Sequence, residues 1–174
     1  NGKIYYLSEA TLSILGDEAI VLDNIKGKDL IGLEYTGPFD DLEVQKGIKH
    51  VVVDWNEVGE TDRTGMVHIA PGCGAEDNEL GKKKGLKEIA PLDENGYYLK
   101  GFGWLTGKNV NDVLKPIIED LKKKNILFKT QNYKHRYPVC WRCGQELVFR
   151  LVDEWFIKAD EIRPLMIAAA KKVN

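Results

Sequence analysis

The chain has 174 residues, 43% of them hydrophobic and 30% charged, with a formal net charge of -2. That is the length of one ordinary domain with enough apolar material for a core, and it excludes a collagen-like or low-complexity chain. A balance so near neutral gives no global basic field to announce a nucleic-acid partner.

In chain order, residues 4–7 predict a strand, and Ser8 is placed to cap a short helix over 9–15. Residues 19–22 suggest the next strand. A turn of helix then leads into Leu33-Glu34-Tyr35, which Gly37-Pro38 breaks. Residues 51–53 read as a buried strand and 65–69 as another, ended by Pro71-Gly72. Residues 75–84 predict a helix, with Glu76, Asp77 and Glu79 early, Lys82, Lys83 and Lys84 late, and Gly85 as its stop. A turn at 93–96 precedes a strand over 97–99. Val110, Val113, Leu114, Ile117, Ile118 and Leu121 share one helical face, with Pro116 requiring a late start or a bend. Strands are expected at 126–128 and 147–151. Asp160 is placed to cap a last helix with Pro164 near its first turn. Short strands alternating irregularly with helices predict an α+β fold with a mostly antiparallel, barrel-like β core decorated by several helices.

Three cysteines, Cys73, Cys140 and Cys143, are odd in number and include one C-x-x-C, a poor disulfide framework that suits a reducing compartment. With no signal peptide or membrane-spanning apolar run, a cytoplasmic, membrane-free protein is the expectation. Cys140 and Cys143, backed by Gly144, have the shape of half a tetrahedral zinc site; Cys73, His50, His68 and His135 do not obviously complete it, and a free thiol pair in a turn is the plain alternative. Basic clusters at 82–84, 122–124 and 134–136 read first as solvated helix ends and faces.

The informative stretch is Thr64-Gly65-Met66-Val67-His68-Ile69-Ala70-Pro71-Gly72-Cys73-Gly74-Ala75-Glu76-Asp77. A strand delivers His68, a Gly/Pro loop allows close backbone approach, and Asp77 follows at a helix start whose N–H groups are unsatisfied. A carboxylate there suits an ammonium group, although acids in a first helical turn also serve simply as dipole complements. From spacing alone both roles stay open for Asp77, as do ordinary core or surface roles for His68.

This stretch resembles the G-T-G-x-V-H-x-A-P-x-x-G-x-x-D signature of the editing domain in isoleucyl-tRNA synthetases, with Arg63 in place of the first glycine. His68 distinguishes that branch from the valyl enzymes, which typically carry lysine there, and from the leucyl enzymes, which carry an apolar residue. The likeness continues through 81–86, Pro91-Leu92-Asp93, 117–122, Tyr137 to Cys143, Phe149-Arg150 and 154–157. It implies an editing domain over 1–157 that lacks the family's upstream threonine-rich segment, and a helix over 158–174 leading back to the catalytic body.

The resemblance further implies hydrolysis of isoleucine tRNA mischarged with valine. One methylene separates the two amino acids by only ~1–3 kcal/mol in an apolar pocket, a limit for which this very pair is the standing example. Asp77 would hold the α-ammonium and His68 would shape the pocket. Thr64, Gly65, Pro71, Gly72 and Gly74 would surround the terminal adenosine, and a positioned water would attack the ester, helped by a ribose hydroxyl. Partners would be that tRNA and the remainder of the synthetase. ATP and magnesium would belong to the parent's catalytic fold, and structural zinc to Cys140 and Cys143 with a second pair elsewhere. The competing readings are an editing domain of the valyl or leucyl branch, a non-catalytic zinc-knuckle RNA-binding module, and a purely structural insertion.

Overall fold

A computed structural model describes residues 2–61, 64–132 and 134–173; Arg63, the departure from the signature, lies outside them. Its regular elements are β1 (Glu34–Tyr35), β2 (His50–Val51), α1 (Ala75–Lys84), α2 (Leu114–Lys123) and α3 (Arg163–Ala170), with short 3-10 helices, the longest Glu9–Leu15, before and between them. β1 and β2 pair antiparallel, Glu34 opposite Val51 and Tyr35 opposite His50. This two-stranded sheet is the sheet of the described residues, and it is not closed.

The helices fall where the pattern predicts. Residues 9–15 form a 3-10 helix after Ser8, whose hydroxyl does not cap it but donates to the Glu60 carbonyl. α1 ends at Gly85, whose φ of 67° is the left-handed cap that a side chain would strain, and its N–H donates to the Gly81 carbonyl. The stripe that begins at Val110 is split. Residues 110–112 make a 3-10 turn under the Asn109 side chain, and α2 starts late, at Leu114. Pro116 therefore sits in the first turn, where its missing N–H would have had no helical partner. α3 also carries its proline in the first turn, but Asp160 does not cap it; its carboxylate accepts from Arg163 Nη2 at 2.6 Å.

The segments expected as strands at 4–7, 19–22, 65–69, 126–128 and 147–151 carry no ladder among the described residues. Tyr97 and Tyr98 reach isolated bridges, to Asn109 and Leu92. Apolar runs of three to five residues set only a face, and a strand needs a neighbour to satisfy its backbone.

The core is small and central. Leu42, Phe102, Leu105 and Val113 form one buried cluster, flanked by Phe39, Val44, Ile89, Tyr98, Trp104 and Ile117. Lys124 fastens the 38–41 turn to α2, bonding the Pro38 carbonyl at 2.9 Å, Asp41 at 2.8 Å and Asp120 at 2.8 Å. The accessible surface is 15006 Å², against about 8,600 Å² for a compact monomer of this mass. The flanks therefore lie open around a packed middle.

Candidate functional site

The site loop is hung between two anchors. Upstream, the Ser8 N–H donates to the Thr64 carbonyl at 2.8 Å and the Ser8 hydroxyl to the Glu60 carbonyl at 2.6 Å. Downstream, Asn78 of α1 donates from Nδ2 to the Pro71 carbonyl at 2.9 Å and to Glu88 at 2.8 Å. Between them residues 66–70 run irregularly, and the Cys73 N–H closes a turn onto the Ala70 carbonyl at 2.9 Å. The loop needs glycine at 72, because a Cβ there would run into the Ile89 carbonyl.

Asp77 lies in the first turn of α1, partly exposed, with its carboxylate folded back against Gly74. Cys73 feels its charge, and Tyr98 in turn feels Cys73. Burial, and then the charge of Asp77, push the Cys73 thiol up from its ordinary value. Burial, and then Cys73, push the Tyr98 phenol up. The Tyr98 ring packs on Phe102 with centroids 5.6 Å apart. Its backbone is pinned by donation to the Lys108 carbonyl and acceptance from Gly107. The result is a carboxylate at a helix start whose charge is felt by the half-buried Cys73 thiol. Such a carboxylate can receive a cationic or hydrogen-bonding group.

The loop also borders a broad open groove of about 3340 Å³. Gly65, His68, Pro71 and Gly72 line it together with Tyr5, Tyr35, His50 and Phe128. His68 is exposed and makes no hydrogen bond or ion pair with any described residue. Thr64, Gly74 and Asp77 are not among the groove's lining residues. The structure thus gathers Asp77 with Gly74, and His68 with Gly65, Pro71 and Gly72. Tyr98 was not legible as part of the site: the turn at 93–96 announces its segment, but no spacing ties it to Cys73.

The cysteine pair forms a tight turn. Cys140 N–H donates to the Gln145 carbonyl at 2.7 Å, and Gly144 N–H to the Cys140 carbonyl at 2.8 Å. Backbone N–H groups of Cys143 and then Arg142, followed by the Cys143 side chain, hold the Cys140 thiol below its ordinary value. Among the described residues no group of three or more potential ligands comes together. No described helix is long and apolar enough to cross a membrane.

No family model matches the chain. Its similarity to curated proteins runs from end to end. It is 39% identical to the isoleucine–tRNA ligase of Methanothermobacter thermautotrophicus over 100% of this chain and 17% of the relative. The isoleucine–tRNA ligase of Archaeoglobus fulgidus is 39% identical over 99% of the chain and 18% of its own length. That of Saccharolobus solfataricus is 38% identical over 100% and 19%. The chain spans less than a fifth of the length of these relatives, all aminoacyl-tRNA synthetases, and it belongs to the isoleucine–tRNA ligase family as the counterpart of one segment.

Proposed function

We propose that this segment is the editing unit of an isoleucine–tRNA ligase, which clears valine from isoleucine tRNA by ester hydrolysis. The observation that carries the reading is Asp77: a partly exposed carboxylate at the start of α1, behind a glycine loop and close enough to Cys73 to raise its thiol. On this reading the carboxylate binds the α-ammonium of the misplaced amino acid through a charge-assisted hydrogen bond. The 64–74 loop receives the terminal adenosine, and His68 faces the substrate from the groove wall. The antiparallel, barrel-like β core expected of the family belongs to the same proposal, as do ATP-dependent charging of the tRNA by the parent enzyme and its work in the cytoplasm.

Zinc fits this chain in part. The N–H groups of Cys143 and Arg142 favour the Cys140 thiolate, as a metal donor requires, and Cys143 is the second donor of the same turn. Cys140 and Cys143 would therefore supply half of a tetrahedral set and hold the 139–146 turn in shape.

The test uses the full-length synthetase. Asp77→Ala is expected to slow deacylation of valine-charged isoleucine tRNA by about 10- to 100-fold, the worth of a hydrogen bond to a charged group, while isoleucine charging stays normal. Equal, rapid clearance by wild type and variant would remove Asp77 from the role and the reading with it.

A further inference from the structure

Residues 129–150 differ in charge from the rest of the chain. They hold Lys129, Lys134, Arg136, Arg142 and Arg150 but a single acid, Glu146, a local charge of +4 that leaves −6 on the remainder. Basic side chains in the clusters at 82–84 and 122–124 are tied to acids: Lys83 to Glu79 at 2.7 Å, Lys84 to Asp54, and Lys124 to Asp41 and Asp120 at 2.8 Å. None of the five cations at 129–150 forms an ion pair with a described residue. All but Arg150, which is half-buried, are exposed.

The middle of this stretch is a built hairpin. Val139 bridges Glu146 antiparallel, and the Leu147 N–H donates to the Pro138 carbonyl at 3.0 Å. The Tyr137 hydroxyl ties the two arms by donating to the Leu147 carbonyl at 3.0 Å. The turn from Cys140 to Gly144 closes the tip, which carries Trp141, 93% exposed, next in sequence to exposed Arg142. Tyr137 and Phe149 are exposed as well, and the His135 ring stands edge-on to Tyr137 with centroids 5.9 Å apart. The backbone is therefore held while its rings and cations stay open to solvent.

Cations without counter-charges, interleaved with exposed rings, are complementary to an RNA strand: phosphates neutralise the cations, and every base offers a face to stack on a ring. An apolar protein surface would cover Trp141 only by also desolvating neighbouring cations that have no partner, which costs more than it returns. A polyanion that carries its own aromatic faces satisfies both kinds of group at once. We propose that the 137–147 hairpin and its flanking cations are an RNA-docking surface, Trp141 stacking on an unpaired base and Arg136 and Arg142 meeting phosphates. The inference rests on the reading of the parent as an enzyme that handles tRNA, but not on Asp77 or on the hydrolysis. The hairpin adds affinity for the tRNA and takes no part in bond breaking.

The experiment measures Kd of the full-length synthetase for uncharged isoleucine tRNA between about 50 and 200 mM salt. Trp141→Ala is expected to weaken binding about 5- to 100-fold, the worth of one stacked base, with the salt dependence unchanged. Arg136→Gln and Arg142→Gln are each expected to weaken binding and to lower the slope of log Kd against log salt by about 0.7–0.9, one phosphate contact apiece. Arg142→Lys should keep the wild-type slope. Wild-type Kd and slope in all three of the first variants overturn the proposal. A lowered melting temperature for Trp141→Ala with tRNA binding intact shows that the tip packs on protein, and overturns it too. If Arg142→Gln disturbs the cysteine turn, Arg136→Gln, outside that turn, decides by its slope. Uncharged tRNA keeps the two readings apart: Asp77→Ala should bind it as wild type does. A wild type that binds through the hairpin yet leaves valine on the tRNA supports this surface while the editing reading fails.

Discussion

Two stretches of this chain carry similar apolar side chains in opposite ways. Between residues 71 and 124 the turns close on themselves, two α-helices stand close in sequence, and Phe102 is 7% exposed beside Leu105 and Val113. Between 126 and 173, Phe156 is 79% exposed, Trp155 fully so, and no described residue is buried. Composition does not separate them; a second surface does. Phe102 meets Leu42 and Val44 from a segment some sixty residues upstream, whereas α3 and the 152–157 run are exposed throughout. Hydrophobicity sets which residues seek burial, and topology decides which of them find a partner.

The largest expected effect breaks that comparison directly. Phe102→Ala should cost about 3–5 kcal/mol, the usual loss for a buried phenylalanine, whereas Phe156→Ala in this chain should stay within about 0.5 kcal/mol. Urea denaturation of the two variants measures both. Equal losses would mean that the 126–173 stretch packs in solution as the middle does.

Gly72→Ala comes next. The new methyl would collide with the Ile89 carbonyl, a backbone atom that cannot swing aside. A loss of about 1–3 kcal/mol is expected, the common cost of overpacking, with faster hydrogen exchange at the Cys73 and Leu86 amides. A methyl accommodated without loss would show that the loop and residue 89 stand further apart than described.

The thiols give a chemical version of the same contrast. Cys73 is half-buried and its thiol is held up by burial and by Asp77, while Cys140 is held down by the N–H groups of Cys143 and Arg142. Since the thiolate is the reactive form, iodoacetamide at neutral pH should modify Cys140 about tenfold faster or more than Cys73 in the metal-free chain. Peptide mapping of a timed reaction reads the order, and faster labelling at Cys73 would refute the environments assigned to both.

What was legible in the sequence follows the same division. α1, its Gly85 stop and the late start of α2 were readable because caps, charge order and prolines act within one turn of chain. The loop holding His68 and Asp77 was readable because its residues are contiguous. The pairing of β1 with β2, the electrostatic influence of Cys73 on Tyr98 and the ion pair of Asp40 with His50 join residues between ten and twenty-five positions apart. Nothing in a one-dimensional pattern encodes which distant segment supplies the partner. For the same reason, apolar runs at 4–7, 19–22 and 147–151 looked like strands: periodicity specifies a face but not a neighbour.

The smallest expected effect lies at the seam between the packed middle and the sheet, where Lys124 holds Asp41 and Asp120. The hydrogen bond from Lys124 holds the Asp41 carboxyl below its ordinary value. The unfolded chain therefore binds a proton first on acidification, and this stabilisation is present above about pH 4, the ordinary aspartate range, and lost as pH falls through the folded value. For Lys124 burial works the other way, but the hydrogen bonds to Asp120 and Asp41 outweigh it and raise the ammonium. Its contribution is complete below about pH 10 and disappears as pH rises through the folded value. The fastener should thus act between roughly pH 4 and 10. Asp41 is more than half exposed, so solvent screening limits the worth of the link to about 1 kcal/mol or less. Lys124→Met should remove that increment at neutral pH and flatten both edges of the stability profile, while the Phe39 ring keeps an apolar side chain over it. A variant as stable as wild type at pH 7 but unchanged at both edges would place the pH dependence elsewhere, in the exposed pairs of Lys84 with Asp54 and Lys83 with Glu79.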